Sequence, residues 1–150
     1  MSVPLMIDEI VMRADPDRVF EAAAYVERWP EFLPHYRWIK LLDPSPQGRI
    51  VEMAARRGAI PVRWTSVQSW DSARREVYYD HIAGQTRGMH VVWRVIPDEQ
   101  EVLVRIIHEL QFASPIINSL PGRLITSRFF IRHIAQQTLR HMKRFLEGTR

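Results

Sequence analysis

Between Tyr36 and Phe112 the chain repeats one pattern: β-prone runs separated by turn signals too brief to hold a helix. The runs are Tyr36 to Leu42, Arg49 to Arg57, Pro61 to Trp70, Arg75 to Ile82, Met89 to Ile96 and Val102 to Phe112. Asp43-Pro44-Ser45-Pro46, Gly58, Asp71-Ser72 and Pro97-Asp98 punctuate them. Parallel neighbours would need crossovers of about a dozen residues or more, so turns this short predict an antiparallel meander. With the β-prone run Leu5 to Arg13 in front, the expected sheet has seven strands.

Helical signals frame the meander. Asp15-Pro16-Asp17 supplies an N-cap, a proline at the first helical position and an acid in the first turn, and Val19, Phe20, Ala23 and Ala24 follow at helical spacing. This helix cannot pass Pro30, and a second short turn around Pro30 to Leu33 must end near Pro34. The stretch RWPEFLPHYRWI, from Arg28 to Ile39, is therefore a kinked connector carrying Trp29, Phe32, Tyr36 and Trp38. Such clusters are more often ordinary core than ligand wall, so its role rests on the rest of the chain. After SPIINSLPG, the residues Phe130, Ile131, Ile134, Ala135, Thr138, Met142, Phe145 and Leu146 recur at helical spacing, predicting an amphipathic helix from about Leu124 to Glu147. The order implies an α+β fold, one domain over 1–150, with the sheet bent around the last helix. A chain of 150 residues, 46% of them hydrophobic, can bury the core this requires.

Several chemistries drop out. The absence of cysteine excludes disulfides, thiolate catalysis, iron–sulfur clusters and cysteine-bearing zinc sites. The sequence has no G-x-S-x-G, H-E-x-x-H, G-x-x-x-x-G-K-[ST] or G-x-G-x-x-G motif. No histidine pair at tight ligand spacing shares a predicted face with a carboxylate, so neither a metal nor a tightly held organic cofactor is expected. MSVPLMIDEIVMR lacks the basic start and apolar block of a signal peptide, and no segment approaches the roughly 20 apolar residues of a membrane span, giving a cytoplasmic expectation.

The net charge of +4 is uneven. From Gly122 onward Arg123, Arg128, Arg132, Arg140, Lys143, Arg144 and Arg150 face a single acid, Glu147, so that segment is +6 (seven minus one) and the remainder −2. A solvated basic face, His133 and His141 included, is the expectation. Nucleic acid is not an expected partner, while transient contact with an anionic membrane stays open.

Strand alternation assigns faces. One face would carry Val51, Met53, Ala55, Val62, Trp64, Ser66, Gln68, Trp70, Val77, Tyr79, His81, Met89, Val91, Trp93, Val104, Ile106, His108 and Leu110. The other would carry Arg63, Thr65, His90, Arg94, Arg105 and Glu109. Apolar walls with a few polar groups are the composition of a small-molecule pocket. A lone histidine or glutamine on such a face is equally compatible with a hydrogen-bonded core group.

The element order, with ERWPEFLPHY after the first helix, VRWTS in a central strand, GQTRGMHVVW, and a final HELQF strand, resembles the polyketide cyclase/dehydrase branch of the START-like helix-grip (SRPBCC) superfamily. The likeness spans nearly the whole chain, and relatives include coenzyme Q-binding START proteins and bacterial aromatase/cyclases. It implies a deep cavity between sheet and long helix, with Trp29, Phe32 and Tyr36 walling its mouth. It also implies a polar side chain from the strand holding His108, and a tyrosine at Tyr36 able to protonate or hydrogen-bond a carbonyl. One position departs: two residues past Ser66 the aromatase/cyclases place an arginine, where this chain has Gln68. An enolate would lose its charged partner there, whereas Gln68 could still bond a carbonyl or quinone oxygen.

The expected ligand-binding residues are Trp29, Phe32, Tyr36, Trp64, Ser66, Gln68, Tyr79, His81, Met89, Trp93, Ile106, His108 and Ile131, with Tyr36 and His108 the catalytic candidates. The favoured function is a carrier or chaperone of a hydrophobic, ring-containing molecule of polyketide, quinone or lipid type. The alternative is a polyketide cyclase/dehydratase that closes a ring by aldol chemistry and removes water.

Overall fold

The computed structural model describes residues 4–42, 48–111 and 128–148. Seven strands, β1 (Leu5–Met12), β2 (Tyr36–Leu41), β3 (Arg49–Arg57), β4 (Ile60–Asp71), β5 (Glu76–Gly84), β6 (His90–Asp98) and β7 (Glu101–Glu109), form one antiparallel sheet in the order β1-β7-β6-β5-β4-β3-β2. Every neighbouring pair from β2 to β7 is consecutive in the chain, as short turns require, and β1 closes the far edge against β7. Helix α1 (Pro16–Ala24), a 3-10 turn (Val26–Arg28) and α2 (Trp29–Phe32) connect β1 to β2, and α3 (Arg128–Gly148) lies across the concave face. The expected DPSP turn and the helix start near Leu124 fall outside the described residues, and β7 ends at Glu109 rather than running on towards Phe112.

Local chemistry accounts for the connector. Asp15 occupies the N-cap of α1 with Pro16 in the first turn, although its side chain makes no capping bond. Pro30 sits in the first turn of α2, and Leu33 has already left the helical region before Pro34.

Alternation places Val62, Trp64, Ser66 and Gln68 inside and Arg63 outside, as expected from the sequence. Trp70 keeps the expected face, opposite Val77, but at the end of β4 it is 39% exposed, with Tyr25 edge-on at 6.4 Å and the Arg49 guanidinium over its ring. Two irregularities matter for the interior. Tyr36 pairs with Ala55 but Trp38 with Ala54, so an extra residue at Arg37 turns Tyr36 inward and Trp38 outward. Thr65 pairs with Ala83 but Ser66 with His81, leaving Ile82 unpaired and His81 on the inner face. At Gly84 (φ +96°) a Cβ would stand 2.4 Å from the Arg63 carbonyl oxygen, so only glycine lets β5 approach Trp64 this closely.

Helix α3 buries Phe130, Ile131, Ala135, Thr138, Leu139, Met142 and Leu146. Its polar side is not wholly solvated. Arg132 and Gln136 both donate to Oδ1 of the buried Asp8, at 3.1 and 2.7 Å, and Lys143 donates to the Val11 carbonyl at 2.6 Å. Glu147 accepts the Arg13 amide at 2.8 Å. These bonds tie the helix to β1. His133 and His141 are half-buried rather than solvated, while Arg140 and Arg144 are exposed.

Candidate functional site

A cavity of about 80 Å³ lies between the concave sheet face and α3. Met53, Trp64, Tyr79, Val91, Trp93 and Ile106 form its floor, and Phe130, Ile131, Ile134, Ala135 and Thr138 its roof. Trp29 and Tyr36 close the connector end, and His81, Thr86, Met89 and His108 complete the wall. Sites for drug-sized ligands usually measure roughly 300–1,000 Å³, so this interior is close to filled and a ligand of more than one small ring must move side chains. Met53 and Met89, with three rotatable bonds each, are the adaptable members of the lining.

The aromatic wall is locked by mutual contact. Trp29 meets Tyr36 edge-on at 5.0 Å and Trp93 at 5.6 Å, and its indole N–H donates to the Ala22 carbonyl at 2.8 Å. Trp64 stacks on His81 with centroids 5.5 Å apart and planes within 7°. Of the candidates named from sequence, Trp29, Tyr36, Trp64, Tyr79, His81, Met89, Trp93, Ile106, His108 and Ile131 line the cavity. Phe32, Ser66 and Gln68 do not. Phe32 stacks on Phe145 at 4.3 Å and belongs to an outer groove of about 290 Å³ shared with Arg18, Glu21 and Tyr25.

Gln68 is turned into a network of its own. Its amide nitrogen donates to the Ala24 carbonyl at 2.8 Å and to the Tyr79 hydroxyl at 3.1 Å, and its oxygen accepts from Arg49 Nε at 2.9 Å and Nη2 at 2.6 Å. Two donors and two lone pairs are all a glutamine amide has, so none is left for a carbonyl or quinone oxygen. Tyr79 donates in turn to the Ala23 carbonyl at 3.0 Å, and Arg49 pairs with Glu27 at 2.9 Å. Arg49, opposite Gln68 on β3, thus holds the glutamine from the neighbouring strand and does not line the cavity.

The remaining polar groups are less satisfied. His108 Nδ1 and Ser66 Oγ are buried with no partner. His81 Nδ1 lies 2.6 Å from Thr86 Oγ1. His35, just before Tyr36, is buried with Nε2 2.8 Å from Thr138 Oγ1 and Nδ1 unpartnered. Burial holds all three histidines neutral: desolvation lowers His81 to about 3, and His35 and His108 to about 4. Neighbouring imidazoles add to this at His35 and His81, and the Arg132 guanidinium adds to it at His108. Desolvation pushes the Tyr36 and Tyr79 phenols up, so both stay protonated.

The sequence reading did not single out His35 or Thr86. Thr138 carried a signal, since it shares the helical spacing of Ile134 and Met142. Thr86 lies in a turn without periodicity, and His35 acquires its role only through contact with a helix 103 positions away.

No curated protein matches the chain. Similar solved structures include a protein of Thermus thermophilus (TM-score 0.80, 18% identity, covering 98% of this chain and 100% of that one). The Zhui aromatase/cyclase of a Streptomyces species is also similar (0.75, 17%, 97% and 92%). So is a START superfamily protein of Mycobacterium smegmatis (0.68, 13%, 96% and 94%). At these identities the likeness is one of fold, and it is the START-like helix-grip fold. The family model for polyketide cyclase/dehydrase and lipid transport proteins matches residues 12–144, and the chain therefore belongs to that family.

Proposed function

We propose that the protein binds an apolar, ring-containing small molecule of polyketide, quinone or lipid type between the sheet and α3, as a carrier or chaperone. The observation that carries this reading is an aromatic-walled interior that keeps an unpartnered imidazole nitrogen, His108 Nδ1, buried among apolar side chains. An unmade bond of this kind costs roughly 1–3 kcal/mol, which a ligand hydroxyl or carbonyl can recover. Binding is favoured over ring-closing catalysis because an enolate needs a cation or aimed donors, and no charged side chain lines the cavity among the described residues.

Native mass spectrometry of protein from its own host, followed by titration with quinones and aromatic polyketides while tryptophan emission is read, tests this. Trp29, Trp64 and Trp93 report directly on the cavity. If nothing binds and Trp93→Ala changes only thermal stability, the aromatics are core and the proposal is lost. Turnover of a poly-β-ketone that disappears in His108→Ala while binding persists would favour the cyclase reading instead.

No helix among the described residues is long and apolar enough to cross a membrane. For collection or delivery of a lipophilic ligand we propose transient contact with an anionic bilayer through the start of α3. There Phe129 is 68% exposed, with the Arg57 guanidinium 4.2 Å from its ring and exposed Arg128 beside it. Co-sedimentation with anionic vesicles should fall as salt rises, and salt-independent binding would rule out this contact.

A further inference from the structure

Consecutive carbonyls at the C-terminal end of α1 fix one wall of the cavity. The last four carbonyls of a helix have no partner inside it. In α1 the Glu21 carbonyl accepts the Tyr25 amide at 2.8 Å. The Ala22, Ala23 and Ala24 carbonyls accept the Trp29 indole N–H at 2.8 Å, the Tyr79 hydroxyl at 3.0 Å and the Gln68 amide at 2.8 Å. Trp29 and Tyr79 line the cavity. The Tyr79 oxygen also receives the Gln68 amide at 3.1 Å, so the ring cannot swing aside without breaking two buried hydrogen bonds. Met53 and Met89 carry no such tether, because a thioether is only a weak acceptor. An interior of about 80 Å³ must widen to admit a ring, and it widens beside the flexible methionines rather than at Tyr79.

His108 stands across from this wall. Tyr79 pairs with Val91 and Val91 with His108, which places His108 two strands and roughly 10 Å from Tyr79 on the same face. A ring whose polar group meets the open Nδ1 of His108 turns its opposite edge toward Tyr79. We propose, resting on the ligand-binding reading above, that Tyr79 is a specificity-determining stop. The cavity takes a ring compound whose substituents lie beside its polar group and refuses one lengthened on the opposite edge.

Calorimetric titration of the full chain with phenol, 2-propylphenol and 4-propylphenol tests this. The two isomers carry the same atoms, and with no stop each should gain roughly fourfold over phenol for every methylene buried. With the stop in place the 4-propyl isomer should bind roughly tenfold more weakly than the 2-propyl isomer, because its chain is driven against a ring that cannot yield. Tyr79→Leu shortens the wall and should bring the two isomers level. His108→Leu removes the polar anchor, so the ring loses its fixed direction and the isomers should again bind alike. Equal affinities in the native chain overturn the proposal, as does a 2-propyl preference that survives Tyr79→Leu. If Tyr79→Leu does not fold, His108→Leu decides, and a preference that persists without the imidazole overturns the proposal. If none of the three probes binds the folded native protein, the ligand-binding reading falls with it. Binding of both isomers without discrimination removes the stop alone.

Discussion

Two regions of the same concave face handle buried polarity in opposite ways. At the end nearest α1, Gln68, Tyr79 and Arg49 bond to one another and to the Ala23 and Ala24 carbonyls until the Gln68 amide is saturated. Toward β7 and the middle of β4, His108 Nδ1 and Ser66 Oγ are just as buried and bond to nothing in the protein. A network closed on itself is a structural joint. It stitches the connector to the sheet, and adding a ligand there would break bonds already made. An open set carries a standing cost in the empty protein, and a cost retained in a folded chain marks the place where a partner can relieve it.

The largest expected effect comes from breaking the closed end. Gln68→Ala removes one bond each from Tyr79 and the Ala24 carbonyl and two from Arg49, which keep only their bonds to the Ala23 carbonyl, to each other and to Glu27. The substitution should destabilise the protein by about 3 kcal/mol in chemical denaturation. A loss below about 1 kcal/mol would mean the network contributes little beyond its packing. Ligand affinity of the surviving folded fraction should be unchanged, because Gln68 does not line the cavity.

Next in size is the acid response of the open end. His35, His81 and His108 refuse protons in the folded state that they accept when unfolded, so the unfolded chain binds more protons between pH about 6.5 and about 3–4. Stability is therefore fully present above the unfolded imidazole range and is lost as the pH falls through that window. The contribution of His108 alone is on the order of 3 kcal/mol. His108→Leu should flatten the acid limb of the stability–pH curve by that amount, and a curve unaltered by the substitution would show that His108 is not buried neutral. At neutral pH the same variant should be neutral or slightly stabilised, the reverse of Gln68→Ala, while binding its ligand more weakly.

The smallest effect sharpens the contrast at one atom. Ser66→Ala removes a buried hydroxyl with no partner, so thermal unfolding should show a gain of up to about 1 kcal/mol. A loss of similar size would reveal a bond that Ser66 makes.

Much of this architecture is legible in the chain because its causes are local. Pro30 and Pro34 break the connector wherever it is placed, short turns permit only antiparallel neighbours, and alternation sorts Trp64 from Arg63. Trp70 holds the face assigned to it yet is exposed, because alternation says which face a side chain takes and not where the covering layer ends. Phe32 was misassigned because its neighbour Phe145 arrives from the last helix, and no spacing within the connector foretells that contact.

The sequence by itself determined the strand count, the antiparallel order, the apolar face and the closing helix, since period, turn length and proline chemistry act over a few residues. Only the tertiary structure decided what the polar groups on that face do. An extra residue at Arg37 turns Tyr36 inward and Trp38 outward. Arg49, on the adjacent strand, occupies Gln68 and removes it from the cavity. Thr138, 103 positions beyond His35 in the chain, takes up one nitrogen of that buried imidazole. Hydrogen-bond capacity belongs to each residue, but its direction is set by whichever partner the fold brings within about 3 Å, and those partners here lie on other elements.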